Sequence, residues 1–168
     1  MSDARPPLAH LSAPGPARFC VRLAGHEDVP AIAVAASSLL LELGGAPAPQ
    51  PELQRVGHEL LEDACAGALI VADAGGAVVG FLGASWQSAV RIPGRYGLIQ
   101  ELWVHPDWRG RAVGGELLSL LCALARESGV ERIEVGLPGG RFERLDATES
   151  FYEANGFTAI GQRMRRLL

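Results

Sequence analysis

Apolar and polar positions follow two periods along this chain, and the switches between them mark its elements. The run Leu98-Ile99-Gln100-Glu101-Leu102-Trp103-Val104 is apolar, β-branched or aromatic and stops short of Pro106, which predicts a strand. From Val113 to Glu127 the apolar residues fall at 113, 117, 120, 121, 124 and 125, the spacing of one helical face. Upstream, strand composition recurs at 18–23, 68–72, 77–86 and 96–104, and downstream at 131–136. Helices are predicted over 31–43 and 52–65, with Leu53, Val56, Leu60 and Leu61 on one side of the second. Asp28 and Pro30 suit the entry to the first helix, and the Gly/Pro run 44–51 separates the two. That connection is a natural substrate-facing loop, and equally a plain linker.

Turn signals join these pieces. Asp73-Ala74-Gly75-Gly76 and Arg91-Ile92-Pro93-Gly94-Arg95 read as tight turns between antiparallel neighbours. The strand-helix-strand unit over 98–136 predicts a parallel pair. A last helix opens near Asp146 and Glu149, which have capping-box spacing with Thr148 as an alternative cap. It stops at Asn155-Gly156, and 157–160 regains strand character. The expected architecture is α/β, a mixed sheet flanked by helices in one domain over 18–168. Residues 1–17, with four prolines, are expected to form a mobile tail.

Composition narrows the function. A chain of 168 residues with 48% hydrophobic content can bury a core and is not disordered. No apolar run reaches membrane-spanning length, and the opening residues lack a signal-peptide pattern. All fifteen basic residues are Arg. Their balance against carboxylates is −5 through residue 90 and +1 from residue 91 onward. A basic nucleic-acid footprint is therefore absent, and an anionic ligand suits the second half. The acidic first half fits a cationic acceptor, and fits solvated helix faces as well. Cys20, Cys65 and Cys122 are odd in number and far apart, and read as small buried residues in a reducing cytoplasm. The four His are scattered, so no metal site is expected.

The loop between strand and helix carries the chemistry. Trp108-Arg109-Gly110-Arg111-Ala112-Val113-Gly114-Gly115 sits where a helix start presents unpaired N–H groups and the positive end of its dipole. Glycine permits close approach to backbone, and Arg109 and Arg111 add planar donors suited to phosphate. The loop lacks the Lys-Ser/Thr ending of a P-loop and the spacing of a dinucleotide fingerprint. An ordinary Gly-rich strand-loop-helix connection remains the plainer reading.

The loop resembles the pyrophosphate-binding motif Q/R-x-x-G-x-G/A of the GNAT acyltransferases, written here Arg109-Gly110-Arg111-Ala112-Val113-Gly114. Ala112 stands where the pattern has Gly. Phe151-Tyr152-Glu153-Ala154-Asn155-Gly156-Phe157 resembles the family's closing F/L-Y-E-x-x-G-F. The resemblance follows element order over 18–168, and its specific motifs lie between Glu101 and Phe157. It implies a mostly antiparallel sheet whose one parallel pair is splayed apart around an acyl thioester. It also implies acetyl-CoA as co-substrate, held by Leu102, Trp103, Val104, Arg109, Gly110, Arg111, Ala112, Val113, Gly114 and Gly115. Tyr152 matches the position of the general acid, and Glu101 lies near where members place the base. Period-two alternation sets Glu101 on one face with Ile99 and Trp103, opposite Gln100, Leu102 and Val104, unless a bulge intervenes.

Each role has a rival. Tyr152 could simply pack between Phe151 and Phe157, and Glu101 could pair with an Arg such as Arg95. Glu134 or a water relay could serve as base. The expected activity is acetyl transfer to a small-molecule or peptide primary amine by direct attack, in the cytoplasm, with neither nucleic acid nor membrane as partner. The alternatives are a CoA-binding module without turnover and a small interaction domain without CoA affinity. The apolar stretch 164–168, with Arg163, Arg165 and Arg166 around its start, is a candidate edge strand and homodimer contact.

Overall fold

A computed structural model describes residues 18–140 and 142–161. Five strands form one sheet in the order β1 to β5: Cys20–Leu23, Gly67–Asp73, Val78–Ala89, Ile92–Val104 and Val130–Val135. Every neighbouring pair is antiparallel except β4 and β5, which are parallel. Four helices accompany them: α1 Val29–Glu42, α2 Gln50–Glu62, α3 Val113–Glu127 and α4 Leu145–Ala154. The mixed α/β sheet flanked by helices is the architecture the chain's patterning predicts.

Strand β2 reads as an unbroken apolar run because both of its faces are covered. Leu69 and Val71 pack with Ile32 and Ala35 of α1, Phe81 and Trp103 on one side. Ile70 and Ala72 pack with Leu82, Leu117 and Leu121 on the other, where α3 lies. The 113/117/121 stripe of α3 is wholly buried, as its period requires, and burying each of these Leu side chains stabilises the fold by about 1.5–3 kcal/mol. Gly129, at φ 69°, follows the helix, where a side chain would be strained.

Several local expectations are corrected. The β3–β4 turn falls on Val90 and Arg91, so Pro93 and Gly94 lie inside β4 rather than in a loop. The register jumps from Ala89↔Ile92 to Ser88↔Arg95, and this irregularity accommodates a proline that a regular ladder would exclude. Asp28 does not cap α1 with its side chain. Its carboxylate takes both Arg22 nitrogens, at 2.6 and 2.9 Å, and the Gly25 N–H. The bonds from Arg22 hold that carboxyl below its usual range. Helix α4 begins at Leu145, so Asp146 sits in its first turn near the positive dipole end and forms no cap. Residues 157–160 form no strand: Phe157 packs on Tyr152 and Ile160 is exposed. Cys20 and Cys65 are exposed, not buried, because Cys20 opens the edge strand β1 and Cys65 lies in the turn between α2 and β2. The expected tail over 1–17 and the proposed edge strand over 164–168 lie outside the described residues. Among the described residues no helix is long and apolar enough to cross a membrane.

Candidate active site

The ladder between β4 and β5 begins at Arg95↔Val130 and ends at Ile99↔Val135, whereas β4 runs on to Val104. β5 ends at Val135, so beyond Ile99 the parallel pairing stops and the β5-facing edge of β4 is left without a strand partner among the described residues. A bulge marks that point. Opposite β3, Ala84 pairs with Ile99 but Gly83 pairs with Glu101, so Gln100 is the extra residue.

That one inserted residue decides which way the chemistry points. Ile99 belongs to the α3-side core with Leu102 and Val104, whereas Trp103 belongs to the α1-side core. The uninterrupted alternation that groups Ile99 with Glu101 and Trp103 is thus broken. Glu101 lies on the α1 side, where its carboxylate passes over Gly83: a Cβ there would sit 2.6 Å from Oε2. Burial raises the Glu101 carboxyl to about 6, since the charged form has lost water. Arg95 does not neutralise it, because that guanidinium donates to the Cys65 carbonyl at 2.7 Å.

After β4 a short turn at Pro106–Trp108 leads to Gly110, at φ 73°, and Ala112, at φ 63°. Ala112 is the only described non-glycine residue with positive φ, and its backbone adopts the left-handed conformation that the family's glycine would favour. The loop and first turn of α3 leave a row of free donors. Glu116 N–H bonds to the Ala112 carbonyl, but no amide from Arg111 to Gly115 donates to another described residue, and no side chain caps the helix. Arg111 lies over the Trp108 ring at 5.3 Å, which is itself edge-on to Phe19. Gly114 has a packing reason as well: a Cβ there would be 3.0 Å from the Phe151 ring of α4.

Arg109 is engaged elsewhere than its motif position suggests. Its Nη2 reaches both oxygens of Glu42, at 2.7 and 2.8 Å, and its Nε donates to the Val104 carbonyl at 2.8 Å. Trp103 Nε1 also donates to Glu42, at 3.0 Å. The last turn of α1 is thereby tied to both the end of β4 and the loop. Glu42 had no signal in the sequence beyond interrupting an apolar helix, and Gly83 had none.

A single cleft of about 440 Å³ joins these parts. Glu101, Leu102, Trp103, Val104, Arg109, Gly110, Ala112, Val113, Gly114, Gly115 and Tyr152 all line it, with Leu39, Glu42 and Leu43 from α1 and Arg144 beside α4. Arg111 and Glu134 are not among its lining residues. Tyr152 is only 7% exposed and packs edge-on between Phe151 and Phe157. Its hydroxyl bonds to no other described residue, and burial pushes it up to about 12, so it is a protonated donor at neutral pH. The packed ring thus carries a hydroxyl with no partner among the described residues. Among the described residues no three His, Cys, Asp or Glu side chains gather as a metal ion would require.

The mixed α/β sheet, the unpaired end of β4 and the uncapped start of α3 thus meet at one cleft. A family model described as the Acetyltransferase (GNAT) family matches residues 36–157, and the chain belongs to that family. Solved structures share the fold. The aminoglycoside N-acetyltransferase AAC(6')-Iy, in complex with CoA, superposes with a TM-score of 0.76 at 16% identity, covering 94% of this chain and 99% of its own. A transcriptional regulator from Bacillus halodurans C-125 gives 0.76 at 22% identity, covering 90% and 100%. An acetyltransferase from Trypanosoma brucei gives 0.70 at 21%, again covering 90% and 100%. No curated protein matches the chain in sequence.

Proposed function

We propose that the protein transfers an acetyl group from acetyl-CoA to a primary amine in a ternary complex. The observation that carries this reading is the run of unpartnered amides from Arg111 to Gly115 at the start of α3, of which residues 112–115 line the same cleft as Glu101 and Tyr152. Five N–H groups at the positive end of a 15-residue helix suit a diphosphate, and glycine at 110, 114 and 115 keeps the approach open. Arg111, held on Trp108 beside the loop, is the guanidinium available to a phosphate. Arg109 braces the loop through Glu42 and the Val104 carbonyl. The free edge of β4 around Leu102 is the place for the pantetheine amides to bond as a strand would.

Chemistry then follows from the two titratable groups. Glu101, with its carboxyl near 6, accepts a proton from the incoming ammonium at neutral pH. The freed amine forms the new C–N bond at the thioester carbonyl, the C–S bond breaks as the Tyr152 hydroxyl gives its proton to the leaving thiolate, and the second proton shed by the nitrogen as it becomes an amide restores the phenol. No step needs a covalent enzyme intermediate or a metal.

Titration with acetyl-CoA followed by thiol release in the presence of amines tests the proposal. Saturable binding with amine-dependent release is expected. Binding without release on any amine would mark a CoA-binding module, and a flat titration would remove CoA altogether. Replacing Tyr152 by Phe is expected to lower kcat by about a hundredfold or more while the KM for acetyl-CoA holds.

A further inference from the structure

The α1 side of the cleft is apolar and nearly without spare negative charge. Leu39 and Leu43, one turn apart, and Trp103 line it. Of the two carboxylates in the cleft, Glu42 already receives Arg109 on both oxygens and Trp103 Nε1 on one. Glu101 has no ion pair or hydrogen bond with any described residue. Against these stand Arg109 and Arg144, so among the described residues the lining carries as many guanidiniums as carboxylates. Arg144 likewise forms no ion pair with a described residue.

Building on the acetyl-transfer reading, we infer that the acceptor is an amine bearing one positive charge on an apolar body, not a polycation. Its ammonium reaches Glu101, and its body lies against Leu39, Leu43 and Trp103. A second ammonium would be desolvated against the leucines or set near Arg144, with no further unengaged carboxylate among the described lining residues to receive it. This separates the chain from its aminoglycoside-acetylating structural neighbour, whose named substrate class carries several amines. Shared fold does not transfer acceptor choice, because that choice lives in the lining side chains.

The experiment uses the full chain with acetyl-CoA, reading thiol release at fixed ionic strength with 2-phenylethylamine, spermidine and kanamycin. Acetyl-CoA binding is measured first by calorimetry. The expected result is a kcat/KM for 2-phenylethylamine at least tenfold above that for either polycation. Preference for a polycation, or acetyl-CoA binding without turnover of 2-phenylethylamine, overturns the inference while leaving the donor reading intact. No acetyl-CoA binding overturns the donor reading and this inference with it. A second variant, Leu43→Glu, places a carboxylate on the apolar wall at a residue 44% exposed, where the fold tolerates charge. It is expected to shift the spermidine to 2-phenylethylamine ratio at least fivefold toward spermidine. An unchanged ratio would show that Leu43 does not face the acceptor and would sink the argument.

Discussion

Under the proposed chemistry, activity and stability pull Glu101 in opposite directions. Its carboxyl binds protons more tightly in the folded chain than in the unfolded one, at about 6 against an ordinary 4.5. Between those values the native state holds the extra proton, so stability falls as pH rises through the window. Above it the buried charge costs roughly 2 kcal/mol. Glu101→Gln is therefore expected to be more stable than the parent at pH 7 and equal to it at pH 4, by thermal melts. The same variant is expected to lose most of its activity. In the parent, kcat/KM should rise with pH through about 6 and then level, and that limb should vanish in the Gln variant. Ala112 offers a second residue-scale test. Left-handed backbone costs a residue with a Cβ roughly 1 kcal/mol, which glycine avoids at some cost in unfolded-chain entropy. Ala112→Gly should leave stability within about 1 kcal/mol and tighten acetyl-CoA binding. Ala112→Val should destabilise by more than about 1 kcal/mol and weaken it.

Elements meet at two junctions that no local pattern announces. The first is the tie between α1 and the loop through Glu42, Arg109 and Trp103, spanning 61 and 67 residues of sequence. Glu42→Ala releases Arg109 and frees the Val104 carbonyl, so the loop loses its brace. The expected outcome is an acetyl-CoA KM raised about tenfold with kcat within a few-fold, since Glu42 touches neither reacting centre. The second junction is Gly114 against Phe151, where α3 and α4 approach. These junctions explain what was and was not legible. Helix α3 was predicted at its full length because one strong apolar stripe and its flanking glycines define it locally. The loop motif and Tyr152 were legible for the same reason, as residues in a short fixed spacing. The engagement of Arg109 was not, because its partner comes from a helix far away in sequence. The strand expected over 157–160 did not form although strand composition is present, because composition does not fix pairing: Phe157 packs on Tyr152 and Ile160 is exposed.

At the scale of the whole molecule, the loop, the unpaired end of β4 and α4 close around one cleft, so a ligand that bridges them binds only the folded state. Acetyl-CoA at a hundredfold excess over its Kd should add about 2.7 kcal/mol. For a chain of this length that is a rise in Tm of about 5–10 °C, read by differential scanning fluorimetry. A smaller ligand lacking the diphosphate, such as acetyl-pantetheine, should give far less at equal concentration.

The sequence by itself determined the order of strands and helices, the α3 stripe, the anion-receptive loop and the candidacy of Glu101 and Tyr152. The order, the stripe and the loop rest on residues within a few positions of one another, where period and spacing act directly on the backbone, whereas Glu101 and Tyr152 are candidates through the family resemblance. Only the tertiary structure decided which face Glu101 takes, because a single extra residue at Gln100 reverses parity and is visible only against the register of β3. It also decided that Arg109 pairs with Glu42 while Arg111 lies over Trp108, and that Leu39, Leu43 and Trp103 line the cleft wall. Those outcomes depend on partners brought together by folding, and neither charge nor periodicity along the chain encodes which distant side chain will arrive.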